Sequence, residues 1–558
     1  MTFRFLLTGF CILVASAVEA QPIPPTPPTI GSPNTVTADP PVARPRTTPC
    51  RVRLFTDVRF NDFSPRSFAY APPAGCPAPW QKVVLEANYS VEPGRQFDRT
   101  ATLWIDGVNI YFGTTAEPTR APVPIGRSWH VERDITDYTA ALLTPAAGRA
   151  ELGNLVNQTY TSSLWGTAEI AFYPLGRGED EDDRVRTPEV VLPLSAGPTG
   201  GTVALFRPSD ELAATFHLPT NIERALLDVV LQHQGANDEF WYTCVPTNLS
   251  NALQSCVGTA FREGEVSIDG QPAGVVPIFP WIFTGGIDPY LWRPIPAVQA
   301  LNFVPYRVDL TPFAGRLSDG QPHRLAINVT NNSQYFSTTA TLLLFLDRGS
   351  SHVTGQVTEN TIGVPSPRIT TDGIDPTADP VVGTVTTTSS RSFVLAGWVR
   401  TSHGRVNTEI RQTIDFSNVQ DFVVPSGASM FVQRIAQVTG IWSATRVNGG
   451  DNSREIVTHL AWPLNVEIVS PDNFTTGWTT RIRQAYNRAD SFSGEGDSEN
   501  SSVVSNSGEW ADDYPTTSIQ SGAQRYFSAD SDDHCYSRSI EAAHGVLTSI
   551  TDGSGCDD

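Results

Sequence analysis

The chain has 558 residues, enough for three or four domains of roughly 150 residues each. Its 58 Asp and Glu against 38 Lys and Arg leave a formal charge of -20, which argues against nucleic acid or an anionic membrane as partner, since both need clustered basic residues. With 44 Pro, 43 Gly and only 17% charged residues, long exposed helices are disfavoured and an all-β, turn-rich protein is expected.

Residues 1–20 carry Arg4, an apolar run from Phe5 to Ala17 and a small-residue site at Val18-Glu19-Ala20, the pattern of a secretory signal. The run is too short to span a bilayer and no later segment is apolar enough, so a secreted, extracellular or periplasmic monomer is expected. Residues 21–49 are crowded with proline and read as an extended spacer. A first β domain is expected over 50–200, closed by the acidic run 178–183. That run reads as a solvated loop, because the regular ligand spacing of a calcium loop is missing. A second β domain is expected over 201–349. Residues 350–558 form a further β region, with alternating strands at 393–399, 431–435 and 466–469; within it, residues 488–533 are rich in Ser, Asp, Gly and Asn and read as long or mobile loops. Cys11 falls in the signal, and the other cysteines lie in three local pairs. In an exported chain these favour disulfides Cys50–Cys76, Cys244–Cys256 and Cys535–Cys556, on proximity alone.

The two central domains read as copies of one unit. Trp104-Ile105-Asp106-Gly107 ends a strand in an Asp-Gly turn, and Ser267-Ile268-Asp269-Gly270 repeats it. Upstream, Val83-Val84-Leu85 answers Ala225 to Val230. Downstream, Asp134-Ile135-Thr136 with Tyr138 answers Asp309-Leu310-Thr311 with Phe313, and the strands at 169–173 and 342–346 also correspond. Each copy places one acid in the loop before its turn-forming strand: Asp98 beside Phe97 and Arg99, and Glu239 beside Phe240 and Trp241. Two similar β domains packed side by side would turn both acids toward one cleft.

No serine-hydrolase elbow, zinc-protease helix, phosphate loop or C-x-x-C pair is present. Carboxylates with aromatic neighbours remain, and these suit carbohydrate and hydrolysis alike. Rings favour the neutral form of one acid, while Arg99 beside Asp98 is expected to keep that one ionised. An amidase, a glycosidase using the same two acids, and a non-catalytic glycan-binding protein all stay open on these residues.

The motifs Phe97-Asp98-Arg99, Thr115-Ala116-Glu117-Pro118-Thr119, Glu239-Phe240-Trp241-Tyr242 and Thr284-Gly285-Gly286-Ile287-Asp288-Pro289 with Leu291-Trp292 together resemble the peptide:N-glycosidase A type of asparagine amidase. The bacterial F type is similar in a weaker way, through Phe97-Asp98-Arg99, Leu218-Pro219-Thr220-Asn221 and Asp238-Glu239-Phe240. The resemblance implies two adjacent jelly rolls, an N-glycopeptide or N-glycoprotein substrate and no cofactor or metal. It implies Asp98, Glu239 and Arg99 as catalytic residues, with Phe97, Glu117, Gln158, Phe240, Trp241, Trp292 and Arg293 around the substrate. Gln158 stands where the F type carries a further glutamate, so that role is lost or moved to Glu117; Arg293 is the stand-in for an F-type arginine.

Overall fold

The computed structural model describes residues 28–119, 123–176, 186–449, 452–494 and 500–553. The expected signal, the acidic run 178–183 and Cys556 lie outside the described residues. The protein is all-β. Its first eight strands are β1 (Cys50–Phe60), β2 (Arg66–Tyr70), β3 (Trp80–Val91), β4 (Thr100–Ile105), β5 (Val108–Thr114), β6 (Arg127–Asp134), β7 (Ala146–Leu152) and β8 (Leu164–Pro174). They form two four-stranded antiparallel sheets, ordered β1-β8-β3-β6 and β2-β7-β4-β5, which is a jelly roll. After β9 (Val190–Leu194) come β10 (Val203–Leu205), β11 (Leu212–His217), β12 (Ile222–Gln234), β13 (Glu263–Ile268), β14 (Gln271–Pro277), β15 (Tyr306–Asp309), β16 (Pro322–Thr330) and β17 (Tyr335–Leu346). These pair as β10-β17-β12-β15 and β11-β16-β13-β14, with β9 added beside β17. Raising every strand number of the first roll by nine reproduces the second, so the duplication read in the sequence is a duplication of topology.

The repeated turns show why. Asp106 and Gly107 have φ of 52° and 77°, and Asp269 and Gly270 have 51° and 76°. Two consecutive residues at positive φ make the tight hairpin that joins β4 to β5 and β13 to β14, and Asp-Gly is the pair that tolerates it.

The rest of the chain is one 11-stranded antiparallel sheet. It comprises β18 (Thr354–Asn360), β19 (Arg368–Asp372), β20 (Val381–Thr401), β21 (Gly404–Val424), β22 (Phe431–Gly449), β23 (Asn452–Ser470), β24 (Trp478–Gly494), β25 (Asn500–Tyr514), β26 (Ser521–Asp530), β27 (Cys535–Ala543) and β28 (Val546–Gly553). Its inner-face residues Phe393, Leu395, Ile410, Phe416, Ile435, Trp462, Ile482 and Trp510 share one core with the second jelly roll. A row of buried amides on the same face donates to loop carbonyls: Asn418 to Tyr242 at 2.9 Å, Gln420 to Cys244 at 3.0 Å and Gln484 to Pro280 at 2.7 Å.

Three expectations are corrected here. Residues 488–533 are largely strand: they complete β24 and form β25 and β26, because pairing with long neighbours outweighs their weak strand propensity. The described part of the proline-rich segment is no spacer. Its backbone bonds to the last strand and to both rolls, Gly31 N to Leu547 O at 2.7 Å, Leu547 N to Ser32 O at 3.1 Å, Thr35 N to Ser128 O at 2.9 Å and Val36 N to Pro294 O at 3.1 Å. Cys50 and Cys76 are not joined: Cys50 pairs with Phe172 in the β1–β8 ladder, and the buried Cys76 thiol donates to the Phe172 carbonyl at 3.8 Å. The Cys244–Cys256 disulfide is present, and Cys535 is disulfide-bonded as well. Among the described residues no helix is long and apolar enough to cross a membrane.

Candidate active site

In each jelly roll the loops after the first, third, fifth and seventh strands gather at one end, and the candidate site uses those loops of both rolls. Asp98 lies in the loop between β3 and β4; Glu239 lies in the corresponding loop between β12 and β13. The two carboxyls hydrogen-bond to each other. Burial raises the affinity of both for a proton, and at Asp98 the charge and the hydrogen bond of Glu239 add to it. The pair therefore holds one proton between two oxygens and titrates as a unit.

Glu239 is held from several sides. Its backbone N–H donates to the Gly235 carbonyl at 2.8 Å. The preceding Asp238, fully buried, pairs with the buried Arg262 at 2.9 Å and accepts from the backbone N–H groups of Ser333 and Gln334. The Cys244–Cys256 disulfide closes the loop five residues later, and Cys244 Sγ sits 3.2 Å from the Asn237 carbonyl.

Asp98 is fixed differently. The loop 284–290, between β14 and β15, crosses from the second roll and packs against it: a Cβ built on Gly285 would lie 1.9 Å from Asp98 Oδ1. No side chain fits there, which is the reason for glycine. Thr284 Oγ1 donates to the Thr115 carbonyl, joining this loop to the β5–β6 loop that carries Glu117. Asp288, buried at the far end of the loop, accepts from Trp478 Nε1 at 3.1 Å and Thr480 Oγ1 at 3.0 Å of the C-terminal sheet. Glu117 is 7% exposed and accepts from Gln96 Nε2 at 3.1 Å. Burial, with the charge of Asp98, pushes its carboxyl up to about 7.

Other expected residues are redistributed. Arg99 does not pair with Asp98: its Nε donates to the Phe97 carbonyl at 3.0 Å, its Nη1 to Asn154 at 2.5 Å, and its guanidinium lies 4.6 Å from the Phe97 ring centroid. Asp98 is consequently held in its neutral form by burial, against the expected ionised form; the Arg99 charge opposes this and is outweighed. Arg99 Nη2 is buried with no partner. Arg293 donates to the Pro118 carbonyl at 3.0 Å and so links the two rolls, with its Nε unpartnered. Phe240 flanks the loop, 3.3 Å from where a Cβ on Gly286 would sit. Trp241 and Trp292 are each 1% exposed and serve the frame: Trp292 Nε1 donates to the Gly286 carbonyl at 2.8 Å and packs on Trp510. Gln158 is exposed in the turn between β7 and β8, two residues before Tyr160, whose ring meets Phe97 at 4.9 Å. Asn154, Gln96, Gly285 and the Asp238–Arg262 pair were not singled out as site residues from sequence, although the Gly285-Gly286 run is a visible signal. A cavity of about 1280 Å³ lies between the rolls and the C-terminal sheet, and none of Asp98, Glu117 and Glu239 lines it.

The model of the family described as peptide N-acetyl-β-D-glucosaminyl asparaginase amidase A matches residues 41–363. Peptide-N4-(N-acetyl-β-glucosaminyl)asparagine amidase A of Prunus dulcis is 33% identical over 420 residues, 72% of this chain and 71% of the relative. The chain belongs to the amidase A family. The matched region contains both jelly rolls and all three acids. Among solved structures, PNGF-II aligns at 13% identity and a TM-score of 0.36, covering 53% of this chain and 65% of that one. PNGase F from Flavobacterium meningosepticum aligns at 13% identity and a TM-score of 0.34, covering 53% and 96%.

In this member of the amidase A family the buried acids set a pH dependence. Glu117, Glu263 and Asp512 are each pushed up to about 7 by burial, above an unfolded value of about 4. Raised acids favour the fold fully below that unfolded value, and the contribution is lost as pH rises through about 7. His233, pushed down to about 3 by burial, works the opposite way below pH 6.5, but it is one group against three and the shared pair. Glu132 and Asp513, held down to about 2, lose their contribution only in stronger acid. The thermal midpoint at pH 5 is therefore expected to exceed that at pH 8 in a calorimetric scan; the reverse order would contradict the buried, neutral carboxyls.

Proposed function

We propose that this protein hydrolyses the amide joining an Asn side chain to the innermost N-acetylglucosamine of N-glycans, leaving an Asp-containing peptide and a glycosylamine that decays to free glycan and ammonia. The observation that carries this reading is the hydrogen-bonded Asp98–Glu239 pair, one acid from each roll, with a buried unpartnered Arg99 Nη2 nearby. In the free site the proton sits toward Asp98; passing it along the existing hydrogen bond to Glu239 leaves Asp98 as the base. Asp98 takes a proton from water as the oxygen attacks the amide carbonyl. Arg99 Nη2 is the spare donor for the oxyanion, where one donor contributes about 3 kcal/mol. Glu239 protonates the leaving nitrogen as the C–N bond breaks, and the proton that Asp98 took from water stays on it, which restores the resting state of the pair.

The same contact disfavours a glycosidase, whose acids stand roughly 5 Å or more apart to admit a sugar carbon or a water between them. The expected signal at residues 1–20 and the Cys244–Cys256 disulfide support export as the setting of this activity, with glycopeptides or glycoproteins as substrates. Mass analysis of a digested glycopeptide decides between the readings: amidase action raises the bare peptide mass by about 1 Da, whereas glycosidase action leaves a sugar of about 200 Da. Release of glycan with a sugar left on Asn would overturn the proposal.

A further inference from the structure

Two rings near this site take no part in the chemistry above. Phe63, in the loop between β1 and β2, is 58% exposed, and Phe206, in the loop between β10 and β11, is 55% exposed; they are the two most exposed phenylalanines among the described residues. The shift of nine that relates the rolls makes these loops equivalent. Each ring rests on an inner ring beside the acid of its own roll. The Phe63 centroid is 6.2 Å from that of Phe97, the neighbour of Asp98. The Phe206 centroid is 5.7 Å from that of Tyr335, whose hydroxyl donates to Gln234 and is close enough to Glu239 for that acid's charge to act on it. The Phe206 loop is held in place, since Asp210 Oδ2 accepts from the backbone N–H groups of Phe206 and Arg207 at 2.9 and 3.1 Å.

A single exposed phenylalanine is ordinary. Two at equivalent positions, each backed by a ring beside an acid and standing at either side of the pair, form an arrangement that the duplicated topology alone does not require. We propose that Phe63 and Phe206 are the rims of a sugar-binding groove that extends the site beyond the first N-acetylglucosamine, each offering its face to the C–H surface of a neutral pyranose of the glycan. The inference rests on the amidase reading for the identity of its ligand, and continuity with Phe97 and Tyr335 places that ligand against the acids.

The test uses the full chain and the variants Phe63→Ala and Phe206→Ala, titrated by ligand-observed NMR with a free N-glycan core oligosaccharide, with N-acetylglucosamine, and with an unglycosylated peptide. Loss of a ring is expected to raise the Kd of the oligosaccharide by roughly tenfold, the scale of one aromatic contact, while monosaccharide binding and the thermal midpoint stay put. Unchanged oligosaccharide binding in both variants, or an equal loss for the monosaccharide or the peptide, would overturn the groove. Turnover is read separately. A protein that binds glycan through these rings yet releases none keeps the groove and loses the amidase reading; one that releases glycan with unchanged KM in both variants does the opposite.

Discussion

Asp98→Asn lowers deglycosylation by roughly 10²- to 10⁴-fold, the range for a positioned general base, and leaves the protein folded. Asparagine has nearly the same shape as aspartate, donates a hydrogen bond to Glu239, and cannot take a proton from water. The variant also removes a carboxyl that the wild-type fold holds in its neutral form by burial. A charge no longer has to be accommodated there above neutral pH, so the thermal midpoint of the variant at pH 8 is expected to equal or exceed that of the wild type. Glycopeptide turnover and a melting curve on the same preparation check both halves. Retained turnover would remove Asp98 from its role, and a lower midpoint at pH 8 would mean that the carboxyl is ionised and paired in the fold.

Gly285→Ala has the second large effect, and it replaces no titratable residue. The new methyl would sit 1.9 Å from Asp98 Oδ1, inside van der Waals contact, and the mobile partner in that clash is the Asp98 side chain itself. Gly285 is not in the left-handed region, so alanine meets no backbone penalty there. The acid swings away from Glu239, and a displacement of about 1 Å at a reacting group costs on the order of 10²-fold in rate. The shared proton is lost with the contact, so the pH dependence of the remaining activity changes shape. Steady-state kinetics across pH 4 to 9 tests this, and wild-type kcat in Gly285→Ala would show that the loop does not confine Asp98.

Much of this frame was legible in the sequence, because duplication leaves landmarks that chemistry fixes. The Asp-Gly turns need two positive φ values in each roll, and the acids lie in corresponding loops. What was illegible depended on partners distant in the chain. Arg99 looks like a brace for Asp98 when only neighbours are visible; Asn154 and the Phe97 ring, which hold it, lie in another loop and on its own other side. Trp241 and Trp292 look like sugar platforms until the C-terminal sheet covers them. The Ser- and Asn-rich strands β25 and β26 have little intrinsic tendency to extend and are strands because β24 and β27 flank them. In that sheet the buried amides have a purpose that composition hides, since Asn418 and Gln420 hold the carbonyls of the very loop that presents Glu239.

The strap at Gly31 and Ser32 also bears on the order of assembly. Its ladder-like bonds are made to Leu547, a residue of the last strand, more than five hundred positions later. Contacts at such separation carry a large loop-closure entropy and form late. Gly31 and Ser32 must wait, undocked, until the closing strand is in place, so a chain released from synthesis before β28 would leave the seam between the first roll and the C-terminal sheet unsewn.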